Sequence, residues 1–165
     1  MNGRVVRFVA VFTGLVAGGF TLLSVRWVDA RLVEPWAAWL AALATGVLDA
    51  LGEDVVRTGT VIRGTGFSVR IETGCNGVEA MLLYAAAVAA YPARRRWKGA
   101  GLAGGGLALQ AVNLVRVVSL YWTGAYHPEL FDTVHTVVWQ SAVVLAAAGL
   151  WVGWACGATP VRRRG

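Results

Sequence analysis

Apolar residues in this chain come in long, nearly unbroken runs rather than in the alternation of a half-buried strand or the one-sided stripe of a surface helix. About 20 apolar residues are needed to cross roughly 30 Å of hydrocarbon. The runs therefore predict transmembrane helices over about Val5 to Val25, Asn76 to Tyr91, Gly99 to Trp122 and Val134 to Cys156. The second is short for a full span and suits a thinned bilayer or a start below the interface. A further stretch, Trp36 to Leu51, has only about a dozen uncharged residues before Asp49, which is short for crossing. It predicts an interfacial helix opened by Glu34-Pro35, with Trp36, Leu40, Leu43, Val47 and Leu51 on its apolar face and Gly52 as its end. From Val55 to Glu72 the pattern changes again, with Phe67, Val69 and Ile71 alternating against Ser68, Arg70 and Glu72. With a turn at Gly64-Thr65-Gly66, this segment predicts a two-stranded ribbon leading to Cys75. The fold class expected is an all-α integral membrane protein: about four transmembrane helices, an interfacial helix and a small extracytoplasmic β-ribbon. Residues 1–165 form one domain, with segment 26–75 outside the membrane.

Composition agrees, since 57% hydrophobic residues and a mean hydropathy of +0.59 exclude an ordinary soluble domain. A net charge of +6 and a pI near 10.2 would fit a nucleic-acid binder if the cations lay on a polar surface. They cluster instead at Arg4/Arg7, Arg94 to Lys98 and Arg162 to Arg164, each beside an apolar run, so no nucleic-acid partner is expected. Four spans put nine of these cations and no acid on one side, while the segment from Arg26 to Glu72 holds five Arg against six Asp or Glu. Both termini are thus expected in the cytoplasm, in the inner membrane of the cell. Residues 1–30 carry an apolar core longer than the usual 7 to 15 residues of a cleaved leader, so an uncleaved anchor is expected.

Alternating helix directions bring three costly residues, Cys75, Arg116 and His135, to the outer side of the bilayer. Cys75 lies in Thr73-Gly-Cys-Asn-Gly77, ahead of a helix N-terminus, where the macrodipole favours a thiolate. Asn113 and Arg116 stand three residues apart on one helix face, with Arg116 roughly 9 Å deep at 1.5 Å per residue. Asp132 and His135 open the last helix, where Asp132 is placed to cap the helix and to approach the imidazole. A structural cysteine, a snorkelling arginine and an interface histidine are the bland readings of each residue alone. Convergence at the outer ends of three helices favours catalysis by a thiol, a guanidinium and a proton shuttle.

Other signals resolve into packing. Cys156 falls at the opposite end of its helix from Cys75, too far for a disulfide, and is expected to be a small buried hydrophobe. His127, beside Pro128 and Glu129, is expected on a surface loop. With Glu129, Asp132 and His135 it matches no zinc spacing, so no metal and no cofactor are expected. Gly99 to Gly104 matches G-x-G-x-x-G but follows no strand, so close helix packing explains it better.

At these residues the chain resembles the exosortase/archaeosortase family of membrane cysteine transpeptidases, and most of all the compact exosortase H type. The matching pieces are Cys75-Asn76-Gly77 for the family's C-x-G, Asn113-Leu-Val-Arg116 for its N-x-x-R, and His135 at the start of the last helix. The resemblance implies cleavage of C-terminal sorting signals on exported proteins, each with a short motif, a transmembrane helix and a basic tail, and transfer to an unknown acceptor. Cys75, Arg116 and His135 would be catalytic; Asn113, Asn76, Gly77 and Asp132 would bind substrate or hold the other three in place. A hydrolytic intramembrane protease and a non-catalytic membrane scaffold are the alternatives.

Overall fold

The computed structural model describes residues 3–158; the basic tail at Arg162 to Arg164 lies outside them. Helix α1 (Gly3–Leu23) is followed by α2 (Arg26–Val28), a π-helical stretch (Asp29–Val33) and α3 (Glu34–Ala50). Strands β1 (Val56–Thr58), β2 (Val61–Arg63) and β3 (Ser68–Arg70) come next, then α4 (Val78–Ala90) and α5 (Arg95–Tyr126). A 3₁₀ turn (Pro128–Leu130), α6 (Phe131–Thr133), a π-helical stretch (Val134–Trp139) and α7 (Gln140–Gly157) form one last rod.

Three helical stretches among the described residues are long and apolar enough to cross a membrane: Gly3–Leu23, Arg95–Tyr126 and Pro128–Gly157. The shorter α4 has 13 residues, about 20 Å of helix. Its limits are set locally. Gly77, at φ +77°, turns the chain into it, and Tyr91, extended ahead of Pro92, ends it. This short helix is nevertheless the centre of the bundle, packing against α1, α5 and α7. Helix α1 buries none of its side chains within the chain, as expected of an apolar rod facing lipid.

Close helix contact depends on glycine at two positions. A Cβ at Gly105 would run into the Tyr84 ring and one at Gly101 into the Trp154 indole. Tyr84 uses that proximity to donate its hydroxyl to the Gly101 carbonyl at 2.9 Å. The G-x-G-x-x-G string thus lies inside a continuous helix and serves packing.

The extramembrane layer differs from expectation in two ways. It is a three-stranded antiparallel meander in the order β1-β2-β3, not a two-stranded ribbon, because Gly59 at φ +62° supplies a second turn. Ile62 of the central strand, opposite Val69, is fully buried against Val117, Val118 and Tyr121 of α5, which gives the small sheet the support a lone hairpin lacks. Helix α3 also lies on a different face. It buries Ala37, Leu40, Ala41, Ala44 and Leu48, whereas Leu43, Val47 and Leu51 are exposed. Alanines let α3 approach α5 closely, and the larger side chains with Trp39 are left for the membrane surface. Glu53 then pins the loop after α3 to the end of α5, accepting from Trp122 Nε1 at 2.8 Å and the Tyr126 hydroxyl at 3.0 Å.

Replacing Gly105 with Val should lower stability by about 1–3 kcal/mol through overpacking against Tyr84, whereas Gly106→Val, with open space at its Cβ, should be neutral. Thermal unfolding of the detergent-solubilised protein checks this, and equal midpoints for the two variants would mean that the Tyr84 ring yields freely.

Candidate active site

The nucleophile loop is built from two left-handed glycines, Gly74 at φ +91° and Gly77 at φ +77°, on either side of Cys75-Asn76. Asn76 is fully buried and its Oδ1 accepts from the Val78 N–H at 3.0 Å, satisfying one of the free donors at the start of α4. A Cβ at Gly77 would press on the Asn113 amide, so this position needs glycine for both its dihedral and its space. The fold therefore joins Cys75-Asn76-Gly77 to Asn113 by direct packing.

Cys75, Arg116 and His135 meet. Cys75 Sγ lies 2.8 Å from His135 Nε2, and Arg116 Nη2 approaches the sulfur at 3.7 Å. Arg116 Nη1 donates to the Gly74 carbonyl at 3.3 Å. The guanidinium is only 2% exposed, and neither ion pair among the described residues, Arg70–Glu72 and His127–Glu129, involves it. Its charge is thus free to act on the thiol.

Burial pushes the Cys75 thiol above its ordinary range; Arg116 pulls it back, while Glu79 and Glu72 add to the rise. That direction runs against the thiolate expected from helix position alone. Burial outweighs the macrodipole here because the loop packs the sulfur between α5 and the last rod.

Two N–H groups of the Cys75 loop are already committed. Gly74 N–H donates to Glu79 Oε1 at 2.8 Å and Cys75 N–H to the Glu72 carbonyl at 2.9 Å. Arg116 is a donor that faces the sulfur.

Other expected residues fall out differently. Asn113 is buried, with neither side-chain polar atom hydrogen-bonded, and it stands behind the loop. Asp132 is exposed and caps neither α6 nor the stretch containing His135. The helix begins earlier, at Pro128, so Asp132 sits within a turn and only its backbone carbonyl is used, by Thr136. His135 is instead stacked on Phe131, one turn back, with ring centroids 5.8 Å apart. Phe67 of the β2–β3 turn region packs on Phe131 at 5.5 Å and fills the space at Gly124. His127 is on the surface beside Glu129, as expected, and Cys156 is exposed on its helix rather than buried.

Two residues were missed from sequence. Asn76-Gly-Val-Glu79 has the N-x-x-E spacing of a capping box, a signal for Glu79 reaching back over the helix start. Phe131 lies at i−4 from His135, the spacing of same-face helix neighbours.

A cavity of about 330 Å³ opens from this cluster. Its polar end has Gly74, Glu79, Arg116 and Gln140; α4 forms its floor through Gly77, Ala80 and Ala87, and Phe12 of α1 and Val144, Ala148 and Trp151 of α7 line it further in. Arg116 and Gly74 belong to both the cluster and the trough, whereas Cys75 and His135 do not line the trough.

The family model described as transmembrane exosortase matches residues 4–153. The chain belongs to the transmembrane exosortase family. No curated protein and no solved structure matches it. As an exosortase with three long apolar helices it is a membrane protein.

Alkylation of Cys75 in this exosortase should have its pH midpoint above that of an unperturbed cysteine, and Arg116→Gln should move it higher still, since the charge that favours thiolate is removed. Rates measured against pH in a Cys156→Ala background check the sign. A midpoint that falls on loss of Arg116 would contradict the electrostatic role given to the guanidinium.

Proposed function

We propose that this exosortase is a cysteine transpeptidase that cleaves C-terminal sorting signals from exported proteins at the outer membrane–water interface and passes the acyl group to an acceptor. The observation that carries the reading is the 2.8 Å contact between Cys75 Sγ and His135 Nε2 beneath the Arg116 guanidinium. Attack of Sγ on the scissile carbonyl is accompanied by transfer of the thiol proton to Nε2. The oxyanion that forms takes a hydrogen bond from Arg116. Collapse breaks the C–N bond, His135 returns the proton to the leaving amine, and a Cys75 thioester remains. The acceptor nucleophile then gives a proton to His135, attacks the thioester carbonyl and regenerates the thiol.

The apolar trough supports a substrate whose scissile bond is followed by a transmembrane segment. Gly77, Ala80 and Ala87 alternate on its floor with Leu83 and Tyr84, an apolar surface suited to a helix. In the orientation with four spans, α4 among them, Arg4, Arg7 and Arg94 to Lys98 are cytoplasmic in the inner membrane and the thiol faces outward. Asn76, Gly77 and Asn113 hold the nucleophile loop in place. Asp132 has no part in the proposed chemistry.

Co-expression with an exported protein bearing a motif, a transmembrane helix and a basic tail tests the reading. Cys75→Ala and Cys75→Ser should abolish shortening of that protein, while Cys156→Ala should not; undiminished cleavage without Cys75 would sink the mechanism. The mass of the shortened product separates transfer from hydrolysis, which adds only water. His135→Ala should strongly reduce shortening of the substrate, since it removes both the acceptor of the thiol proton and the donor to the leaving amine.

Ala148→Trp should block the trough without disturbing the core, because Ala148 is exposed. Leu145→Trp, on the same helix but outside the trough, should not. Cleavage of the membrane-anchored substrate is the readout, and equal rates for the two variants would remove the trough from substrate binding.

A further inference from the structure

Gly74, the residue before the nucleophile, is gripped at both of its backbone polar groups by side chains of opposite charge. Its N–H donates to Glu79 Oε1 at 2.8 Å, and its carbonyl accepts from Arg116 Nη1 at 3.3 Å. Glu79 comes from the first turn of α4 and Arg116 from α5, so the grip ties the loop to two helices. We propose that Glu79 is a positioning residue of the active site, whose carboxylate and the Arg116 guanidinium together fix the Gly74 peptide units and so set where the Cys75 sulfur sits.

Three further observations support this. Gly74 occupies a left-handed conformation at φ +91°, and as a glycine it has many alternatives once its N–H is released. Glu79 and Arg116 both line the polar end of the trough, yet no ion pair within 4.0 Å joins them among the described residues. The carboxylate is therefore committed to the loop rather than to neutralising the guanidinium. Direct pairing would withdraw from the sulfur the cation that the proposed mechanism uses; holding the two charges on opposite ends of one residue keeps both in place and apart.

The charges facing the thiol come from every element around it: Glu72 from the loop, Glu79 from α4, Arg116 from α5 and His135 from the last rod, with Asp132 exposed beyond it. Among the acids, Glu79 alone bonds the nucleophile loop while lining the trough. It opposes thiolate formation, because its charge lies near the sulfur. Its bond to the Gly74 N–H therefore points to a part played through geometry and not through charge on the sulfur.

This inference rests on the transpeptidase reading for its turnover arm but not for its thiol arm. In full-length protein carrying Cys156→Ala, Glu79→Gln should shift the pH midpoint of Cys75 alkylation downward, because a charge that disfavours thiolate is gone while an acceptor oxygen remains for the Gly74 N–H. Glu79→Ala should lower turnover of a tail-bearing substrate about tenfold or more, the scale of one lost charge-assisted hydrogen bond. Glu79→Gln should recover part of that loss. More thiolate combined with slower turnover is the signature of an ionised but misplaced sulfur. An unshifted midpoint in folded Glu79→Gln overturns the proposal, as does wild-type turnover in Glu79→Ala. If Glu79→Ala does not fold, the two readouts on Glu79→Gln decide alone: wild-type turnover there overturns the proposal and a partial loss with the downward shift supports it. Persistence of cleavage in Cys75→Ser would instead refute the transpeptidase reading and leave the alkylation result standing.

Discussion

A guanidinium enclosed almost completely by an apolar helix bundle is the constraint around which the rest of this molecule is arranged. Removing an ion from water costs several kcal/mol even after relaxation, and folded proteins normally recover that by pairing it. Arg116 has no carboxylate within ion-pair range among the described residues; its contacts are the Gly74 carbonyl and the Cys75 sulfur, and its Nε has no partner. Such a charge is costly to the resting state and becomes favourable only when negative charge develops beside it. On the proposed mechanism, that charge would stabilise the thiolate and oxyanion that appear during attack.

Keeping the cation unpaired requires that the surrounding acids be occupied elsewhere. Glu79 is engaged by the Gly74 N–H, Glu72 lies 3.7 Å from Arg70 at the surface, and Glu53 is taken up by Trp122 and Tyr126. The same bonds build the scaffold: Glu53 seats the extramembrane layer on α5, and Glu79 closes the nucleophile loop onto α4. Electrostatics and architecture are served by the same side chains, which is why a small chain with nine acids can leave one buried arginine free.

The sequence made much of this legible, for reasons that differ from element to element. Long apolar runs mark α1, α5 and the last rod because a membrane imposes length and leaves little else to choose. Cys75, Arg116 and His135 stand out because each is expensive where it lies, and alternating helix direction brings them together without any knowledge of side-chain contacts. Features that depend on local competition were hidden. Gly59 splits the first strand region in two, yet reads like any loop glycine. Helix α3 turns its alanines inward against the expectation set by Leu43, Val47 and Leu51, because the membrane surface also rewards large apolar groups and the pattern alone cannot say which apolar environment each face meets. Asp132 does not cap the helix because the last rod starts a turn earlier than its apolar run, and helix ends are the least determined part of such a pattern.

The base is held by packing rather than by an acid, and this shapes its chemistry. A carboxylate beside the second ring nitrogen would fix the tautomer and stabilise an imidazolium, as in hydrolases built on an acid–base–nucleophile chain. Here the ring is stacked on Phe131, which in turn rests on Phe67 from the extramembrane layer, with Tyr121 and Gly124 of α5 behind it. Orientation of His135 is therefore inherited from the three-stranded sheet through two aromatic rings, while Asp132 acts on the imidazole through its charge and not through a hydrogen bond. In the proposed transpeptidation, a base held in this way would pass its proton to the leaving amine and then receive one from the incoming acceptor. The sheet, far from the bilayer interior, is in this way as much a part of the site as the helix that carries the thiol.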